Sequence, residues 1–339
     1  MKYVSESAKT TLRAAGILAA LGGAWAASVQ AAELIQIDGS STVYPVTEAV
    51  AEEFQISSGG GVQVTVGISG TGGGFKRFCR GETDISNASR PILRDEMVNC
   101  AQAGVKYYEV PVAYDALTVV VNKQNDFVDY LTVAELKKMW EPAAQGKVTS
   151  WKQIRDSFPD VPLKLAGPGA DSGTFDYFTE AAVGKAKSSR GDYQASEDDN
   201  VIVQFVSRDK GALGYFGLAY YEENKDKLKA VPIKATESSP GVLPSLETVN
   251  NSTYQPLSRP IFIYVKAKAL QRPVVRQFVE FYLKEGAELA KEVGYVDLPA
   301  SAYTLALDNL NSGKLGTGFG GTPEVGLHVE DLLKREGKL

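Results

Sequence analysis

Short apolar runs and amphipathic stretches alternate along the chain. Residues 34–37 and 62–66 have the apolar character of strands, and each is followed by a turn rich in glycine and serine. Between them, Val46, Val50 and Phe54 recur at every fourth position, which predicts a helix with one buried face. A repeated order of strand, turn and helix is typical of an α/β protein.

The same pattern predicts further elements as far as residue 292. A third strand is predicted to begin at residues 84–86, and a long apolar strand at residues 116–121. The remaining predicted strands are residues 163–166, 213–216 and 261–265. The remaining predicted helices are residues 133–140, 201–207 and 273–292, a helix that carries Phe75, Phe78 and Cys79, and a helix that begins at residues 171–174. Beyond residue 292 we expect a polar, glycine-rich tail.

Chain length and two crossing segments predict two domains. A chain of 339 residues buries its apolar surface most readily in two domains. Residues 110–113 lead into the long strand and predict the first crossing, and residues 256–260 predict the return. We therefore expect a discontinuous domain I at residues 32–113 and 259–339, and a domain II at residues 114–258.

The residues before Ala32 are typical of a secretory signal peptide. Lys2, Lys9 and Arg13 form a basic leader, residues 14–27 are apolar, and small residues precede position 32. The apolar run is shorter than the roughly 18 residues of a transmembrane helix, so a retained membrane anchor is the weaker alternative. We expect residues 1–31 to be removed and the protein to be periplasmic.

Cysteine content and charge exclude several classes of function. Cys79 and Cys100 form a single pair in an exported chain, which predicts a disulfide, with two buried thiols as the alternative. One histidine and two cysteines are too few for a His- or Cys-rich metal site, and we expect no cofactor. A net charge of -5 and a pI near 5.3 argue against nucleic-acid binding.

Three turns at predicted helix starts share one chemistry. They are residues 39–42, 69–74 and 171–174, and each combines glycine with serine or threonine. Backbone N–H groups at a helix start are unpaired and favour an anion, and hydroxyl groups supply further donors. One such turn is usually an ordinary helix cap. Three in one chain predict a shared anion-binding pocket.

Arg90 and Asp171 are the charged candidates beside these turns. Arg90 follows the third predicted strand, and a guanidinium there can donate two hydrogen bonds to a tetrahedral oxyanion. Asp171 would accept a hydrogen bond from a protonated oxyanion and repel a fully ionised one. The alternatives are a solvated surface arginine and a carboxylate that caps the helix.

Three enzyme motifs are excluded by their context. Phe75, Lys76 and Arg77 follow the glycines at 70–74, so the Gly-Lys-Ser/Thr ending of a P-loop is missing. Residues 316–321 match a dinucleotide-binding string, but the 18 residues after them cannot complete a βαβ unit. His328, the single histidine, lies in the predicted tail and argues against a Ser-His-Asp triad.

Four motifs occur in the order found in one known family. They are DGSSTVYP at 38–45, GISGTGGGF at 67–75, DISNASRP at 84–91 and DSGTF at 171–175, with later landmarks at 214–215 and 294–299. The chain resembles the periplasmic phosphate-binding protein of the high-affinity phosphate ABC transporter over nearly all of its length after the leader. The resemblance implies an α/β, two-domain type II periplasmic-binding-protein fold with a ligand cleft between the domains and two hinge crossings.

The same resemblance implies the ligand-binding residues. Carried over by motif, the phosphate contacts fall on Ser41, Thr42, Val43 through its backbone, Ser69, Thr71, Ser172, Gly173 and Thr174. The enterobacterial branch of the family has an aspartate and an arginine where this chain has Ser89 and Pro168. The chain instead looks like a branch with a Ser-Arg-Pro turn, in which Arg90 supplies the charge, and Asp171 is our candidate for the proton acceptor.

The sequence thus predicts a secreted, monomeric, non-enzymatic solute-binding protein. It is expected to capture inorganic phosphate between two closing domains and to deliver it to the membrane permease of a phosphate ABC transporter. Sulfate, arsenate or another tetrahedral oxyanion is the alternative ligand. A secreted phosphohydrolase that uses Ser41 or Ser172 is the alternative activity, but the sequence shows no general base or metal cluster for it.

Overall fold

The computed structural model describes residues 32–170, 172–196, 198–324 and 326–339. The predicted signal peptide and Asp171 lie outside the described residues. The strands are β1 (Glu33–Gly39), β2 (Val62–Ile68), β3 (Ile85–Ala88), β4 (Tyr107–Asn122), β5 (Leu131–Thr132), β6 (Lys164–Gly167), β7 (Gln194–Ala195), β8 (Ala212–Gly217), β9 (Leu228–Ala230), β10 (Ile233–Lys234) and β11 (Ser258–Lys266).

Helices alternate with these strands along the chain. The α-helices are α1 (Tyr44–Ser57), α2 (Thr71–Cys79), α3 (Arg94–Gln102), α4 (Val133–Trp140), α5 (Gly173–Phe178), α6 (Asp199–Arg208), α7 (Leu218–Asn224), α8 (Leu246–Asn250), α9 (Pro273–Glu292), α10 (Ala300–Asn311) and α11 (Val329–Lys334). A π-helical segment, Thr179–Val183, continues α5. Among the described residues, no helix has the length and apolar character needed to cross a bilayer.

One long strand connects the two halves of the main sheet. Within the described residues, the strand order is β2-β1-β3-β11-β4-β8-β6-β7, with β9 also paired to β4. Residues 107–116 of β4 pair with β11, and residues 117–121 pair with β8. We call the β11 side the first half-sheet and the β8 side the second half-sheet. The mixed α/β architecture confirms the predicted fold class.

The predicted domain boundary falls inside this strand. We expected a crossing at residues 110–113 followed by a separate strand, but β4 is continuous from Tyr107 to Asn122. Its residues from Val110 onward are all buried, so nothing in the local pattern of exposure marks the boundary. The second predicted crossing leads into β11, which begins at Ser258 beside β4. The division into domains I and II stays a prediction.

Helix α1 has the buried face that its spacing predicts. Val46, Val50 and Phe54 are buried, and the Phe54 ring lies 5.3 Å from the ring of Phe278 on α9. Pro45 occupies the first turn, where its missing N–H group costs no hydrogen bond. The helix therefore follows from the apolar periodicity together with its start signal.

Helix α2 packs closely on the sheet and is linked to α3. A Cβ atom on Gly74 would lie 2.6 Å from the Cα atom of Gly39, so only glycine allows this approach. Cys79 at the end of α2 forms a disulfide with Cys100 in α3, which confirms the predicted bond. Helix α3 was not predicted, because Cys100 is its only buried residue and the sequence shows no apolar face there.

The C-terminal region is more helical than predicted. We expected a polar tail after residue 292, but α10 and α11 are present. Helix α10 buries Ala302, Tyr303, Ala306 and Leu310, a spacing that places four side chains on one helical face. Two of the four are small alanines, so the apolar stripe is weak in the sequence although it is complete in the structure.

Candidate functional site

Three turns leave the first half-sheet at one edge, and they are residues 39–42, 69–74 and 89–91. Strand β1 pairs in parallel with β2 and β3, and its last residue, Gly39, lies opposite Ile68 and Asn87. The turns that follow these three strands therefore start side by side. This edge is the usual position of ligands in open α/β sheets.

Residues 172–174, which we call the fourth turn, meet the first turn, residues 39–42, from the second half-sheet. Strand β6 ends at Gly167, and α5 begins at Gly173. The Thr42 hydroxyl donates a hydrogen bond of 3.3 Å to the carbonyl oxygen of Gly173. The Ser41 hydroxyl lies 3.5 Å from Oδ2 of Asp176 in α5 and donates to it. The structure thus brings together turns that are about 130 residues apart in sequence.

Two cavities lie at these turns. The first has a volume of about 310 Å³, and we call it the anion cleft. The residues that line it include Ser41, Thr42, Thr71, Ser89, Arg90, Asp176, Glu180, Lys187 and Arg259. The second, of about 660 Å³, is also lined by Ser41. It contains the fourth turn, represented by Ser172, Gly173 and Thr174.

Two predicted ligand residues lie away from the cavities. Ser69 is exposed, and its hydroxyl donates to the carboxylate of Asp38, which also forms an ion pair with Arg77. Val43 is fully buried in the core at the start of α1, so only its backbone is a candidate for ligand contact. Their roles as ligand residues stay predictions.

Several hydroxyl groups at the site already have partners. Thr71 Oγ1 lies 3.0 Å from Ser89 Oγ and accepts a hydrogen bond of 3.2 Å from the Ser89 backbone N–H. Ser172 Oγ accepts from the backbone N–H of Thr174 at 3.1 Å and so caps α5. A hydroxyl group has one proton, so the contact between Thr71 and Ser89 uses one of their two protons and leaves the other for a ligand, and Ser172 keeps its own proton because it only accepts here.

Arg90 lies at the cleft, but Glu96 occupies its guanidinium. The two side chains form a two-point contact, with N–O distances of 2.8 and 2.9 Å. Burial alone would lower the pKa of Arg90, and the Glu96 carboxylate outweighs this effect, so the pKa is raised. Glu96 also accepts from the backbone N–H of Leu93 at 2.9 Å, which holds the carboxylate in place.

Arg259 is a second cleft arginine that the sequence analysis did not select. It lies in β11 directly opposite Asp115 in β4, at the point where β4 passes between the half-sheets. Its guanidinium stacks 3.7 Å above the Tyr177 ring, and NH1 donates to Glu180 at 2.9 Å. Its Nε atom is buried and has no hydrogen-bond partner among the described residues.

A repeated tripeptide could have identified Arg259. Residues 258–260 read Ser-Arg-Pro, the same string as residues 89–91 around Arg90. Each arginine lies at an end of a strand that borders the cleft, β3 for Arg90 and β11 for Arg259. Residues 258–260 were predicted only to be part of the return crossing, not of a ligand site.

Two carboxylates near the cleft have an oxygen atom that makes no hydrogen bond. Oδ1 of Asp176 and Oδ2 of Asp115 are buried without a hydrogen-bond partner in the described part of the chain, although Oδ2 of Asp115 lies 3.8 Å from Nε of Arg259. Burial raises the pKa of Asp176, although Lys187 and Ser41 oppose the shift. Burial also raises the pKa of Asp115 to about 6, and Arg259 opposes this. Both groups are therefore acceptors that hold a proton more readily than an ordinary carboxylate.

No metal-binding group is found in the described ranges. These ranges contain no group of three or more His, Cys, Asp or Glu side chains that could hold a metal ion. The charged groups at the cleft are instead arginine, lysine and carboxylate side chains, which bind ligands through hydrogen bonds and charge.

Sequence comparison places the chain among known proteins. The model of the PBP superfamily domain matches residues 24–285. Protein SphX of Synechococcus elongatus is 52% identical over 337 residues, which cover 99% of this chain and 98% of SphX. Phosphate-binding protein PstS of Staphylococcus saprophyticus is 40% identical over 299 residues, which cover 87% of this chain and 90% of PstS.

A solved structure shares the fold. The crystal structure of a possible phosphate-binding protein from Planctomyces limnophilus is 47% identical in sequence and superimposes with a TM-score of 0.79. The match covers 83% of this chain and 98% of that protein. Together with the parallel strand ends and the turns that meet between the half-sheets, these similarities show that the chain belongs to the PBP superfamily, with the type II periplasmic-binding-protein fold, in the family that includes SphX and PstS.

Proposed function

We propose that this protein is a non-enzymatic binding protein for inorganic phosphate that serves a phosphate ABC transporter. The observation that carries the proposal is the convergence of hydroxyl-rich turns and two arginines on one cleft of about 310 Å³. Hydroxyl and backbone donors with an arginine are the groups that bind a tetrahedral oxyanion. The relative PstS is named as a phosphate-binding protein, which supports phosphate over other oxyanions.

Arg259 is the better candidate for the direct partner of phosphate. Its hydrogen-bonded carboxylate partner, Glu180, has a side chain that is 48% exposed, so Glu180 can rotate into solvent when an anion arrives, while Asp115 stays 3.8 Å from Nε. Glu96, the partner of Arg90, is only 16% exposed and is also fixed by Leu93. An anion replaces a loosely held carboxylate at lower free-energy cost than a fixed one. In this proposal Arg90 contributes charge at longer range.

Asp176 is our proposed proton acceptor within the described residues. Phosphate carries a proton near neutral pH and sulfate does not, so rejection of sulfate requires an acceptor that faces the ligand. Oδ1 of Asp176 is an unpaired buried acceptor on a residue that lines the cleft. Asp171, the candidate from the sequence, directly precedes Ser172 in the chain and stays an alternative.

The transport cycle follows from the position of the cleft between the half-sheets. Phosphate in the anion cleft would contact the first turn on one side and Asp176 of α5 on the other, and so would hold the two half-sheets together. The closed protein would then dock on the membrane permease and open there. The proposal includes export by the predicted signal peptide, a periplasmic location and a monomeric state.

Calorimetry on ligand-stripped protein tests the proposed ligand. We expect saturable one-to-one binding of phosphate, weaker binding of arsenate and little heat from sulfate. A protein that binds sulfate more tightly than phosphate would instead support the alternative oxyanion. No heat with any of the three would contradict an oxyanion-binding function.

A separate assay tests the enzymatic alternative. The contact between Ser41 and Asp176 is the observation that favours it, since a carboxylate beside a hydroxyl is one way to activate a nucleophile. We expect no phosphate release from phosphate esters and unchanged phosphate binding in the presence of a chelator. Steady hydrolysis that disappears in Ser41→Ala or Ser172→Ala would establish a phosphohydrolase.

A further inference from the structure

A third cavity adjoins the anion cleft and differs from it in chemistry. It has a volume of about 240 Å³, and we call it the apolar chamber. The side chains that give it this character are those of Tyr177, Ala181, Pro256, Pro260, Phe319 and Leu327. The proposed phosphate contacts do not require this cavity.

The chamber and the anion cleft share a boundary. Ser89, Arg90, Glu180 and Arg259 line both cavities. The same guanidinium groups that face an oxyanion in the cleft therefore also border the chamber. A ligand whose oxyanion occupies the cleft can extend a substituent past these four side chains, provided that Glu180 rotates outward as proposed for phosphate.

The walls of the chamber come from separate parts of the chain and are held in place. The Tyr177 hydroxyl donates to the carbonyl oxygen of Pro256 at 2.8 Å, which joins α5 to the segment before β11. Phe319 is buried and its ring lies 6.0 Å from that of Phe262 in β11. A cavity with such walls does not depend on the ligand to form it.

The charges at the chamber favour an uncharged occupant. Its two carboxylates are each paired with an arginine: Glu180 with Arg259 at 2.9 Å, and Glu324 with Arg335 at 2.7 and 2.9 Å. An ammonium group would have to compete with these guanidinium groups. The remaining surface is mainly aliphatic and aromatic, which suits a small hydrocarbon group.

We infer that the protein also binds organic phosphorus oxyanions that carry one small apolar substituent, with the oxyanion in the anion cleft and the substituent in the apolar chamber. The inference rests on the proposed phosphate site, because it places the tetrahedral group there. A phosphonate or phosphate monoester has three terminal oxygen atoms, so it keeps most of the hydrogen bonds that inorganic phosphate makes. Burial of the substituent then adds apolar contact.

Calorimetric titration with three probes tests the inference. The probes are inorganic phosphate, methylphosphonate and phenylphosphonate, each added to the ligand-stripped protein. We expect phenylphosphonate to bind about tenfold more tightly than methylphosphonate, since the phenyl group buries more apolar surface. Inorganic phosphate should displace phenylphosphonate completely, because the two share the anion cleft.

Ala181→Trp fills the chamber and serves as the diagnostic variant. We expect it to weaken phenylphosphonate binding about tenfold and to leave phosphate binding unchanged. Ala287→Trp is the matched control, since Ala287 in α9 is also a half-buried alanine that packs on the same core and lies outside the chamber. Leu327→Ala is a second variant that removes apolar contact without adding volume, and it should also weaken phenylphosphonate binding selectively.

The outcomes separate this inference from the proposed function. Failure of phosphate to bind the wild-type protein would contradict the phosphate site and the inference with it. Normal phosphate binding without any preference for phenylphosphonate over methylphosphonate would overturn the inference alone. Equal weakening of phosphate and phenylphosphonate by both chamber variants would also overturn it, since the chamber would not be a separate subsite.

Discussion

Arg90 and Arg259 differ in their environment although they occur in the same tripeptide. The Arg90 guanidinium makes a two-point contact with a fixed carboxylate. The Nε of Arg259 makes no hydrogen bond within the described residues and lies 3.8 Å from Oδ2 of Asp115, and its hydrogen-bonded partner Glu180 is half exposed. An unpaired buried donor costs free energy until a ligand satisfies it. At the residue scale, this asymmetry assigns the stronger ligand interaction to Arg259.

Arg259→Ala should weaken phosphate binding by about 2–5 kcal/mol, the usual cost of truncating one partner of a buried charge pair. Arg90→Ala should have a smaller effect, because its guanidinium stays bound to Glu96. Arg259→Lys should restore only part of the loss, since an ammonium group cannot reproduce the planar fork. Calorimetry measures all three, with Arg276→Ala on α9 as an exposed control. Unchanged affinity in Arg259→Ala would contradict the assignment.

Asp176→Asn should relax the rejection of sulfate. The amide supplies a donor where the carboxylate could only accept, so the penalty of roughly 1–3 kcal/mol for an unsatisfied acceptor facing sulfate is removed. Competition of sulfate against phosphate in wild type and variant measures the effect. Asp171→Asn is measured in parallel, because the variant that admits sulfate identifies the acceptor. If neither does, selectivity arises from other groups.

The residues of the site were predictable only in part. Ser41, Thr42 and Arg90, which line the cleft, could be predicted, because strand ends followed by glycines and hydroxyl residues are typical of ligand-binding turns. Asp176 and Asp115 carry no such local mark. Their relevance depends on burial and on a partner far away in sequence, and both properties arise only when the two half-sheets come together.

At the scale of elements, strand β4 fixes the C-terminal segment through one carboxylate. Glu109 accepts a hydrogen bond of 2.5 Å from the Tyr264 hydroxyl in β11 and one of 3.1 Å from the backbone N–H of Gly318. Burial raises the pKa of Glu109 to about 6, although these hydrogen bonds oppose the shift. The contact therefore makes the packing of the segment after α10 depend on pH.

Glu109→Gln should remove this pH dependence. The folded pKa, about 6, lies above the ordinary value of 4.5, so the group's stabilising contribution is complete below pH 4.5 and is lost as pH rises through 6. Between pH 4 and 7, the free energy of unfolding of wild type should fall by about 2 kcal/mol relative to the variant. Urea unfolding at a series of pH values measures this, with exposed Glu52→Gln as control. A constant difference between wild type and Glu109→Gln would contradict it.

The elements were predicted where their apolar spacing is strong. Helices α4 and α9 have the predicted bounds, because large apolar side chains and clear start signals define them. Helix α10 was missed because alanines form half of its buried face, and α3 because it buries one cysteine. The continuity of β4 was missed because residues 110–113, which include Pro111, suggested a crossing before the strand, whereas the backbone is not interrupted there.

At the scale of the molecule, the approach of the first and fourth turns is limited by one glycine. A Cβ atom on Gly173 would lie 2.6 Å from the Cα atom of Thr42 and 2.8 Å from its backbone nitrogen. Both distances are far below van der Waals contact. The half-sheets can therefore reach this separation only with hydrogen at position 173.

Gly173→Ala should keep the half-sheets apart and weaken phosphate binding about tenfold or more, since overpacking of this kind typically costs 1–3 kcal/mol. The free energy of unfolding should change less than the binding free energy, because the open form relieves the contact. Calorimetry and the radius of gyration from X-ray scattering with phosphate test both points. Gly191→Ala is the control, as its Cβ would meet only Oε1 of Gln145 at 3.6 Å. Normal affinity and normal compaction in Gly173→Ala would contradict the closure mechanism.

The double membership of β4 has a consequence for how the protein opens. The first part of this strand pairs with β11 and the last part pairs with β8, so neither half-sheet can release its share of β4 without disturbing a strand that the other needs. Hydrogen exchange at the amides of this strand then requires a single opening event that involves both halves. A ligand that stabilises the closed cleft would slow solvent access along the whole length of β4, including positions far from the ligand.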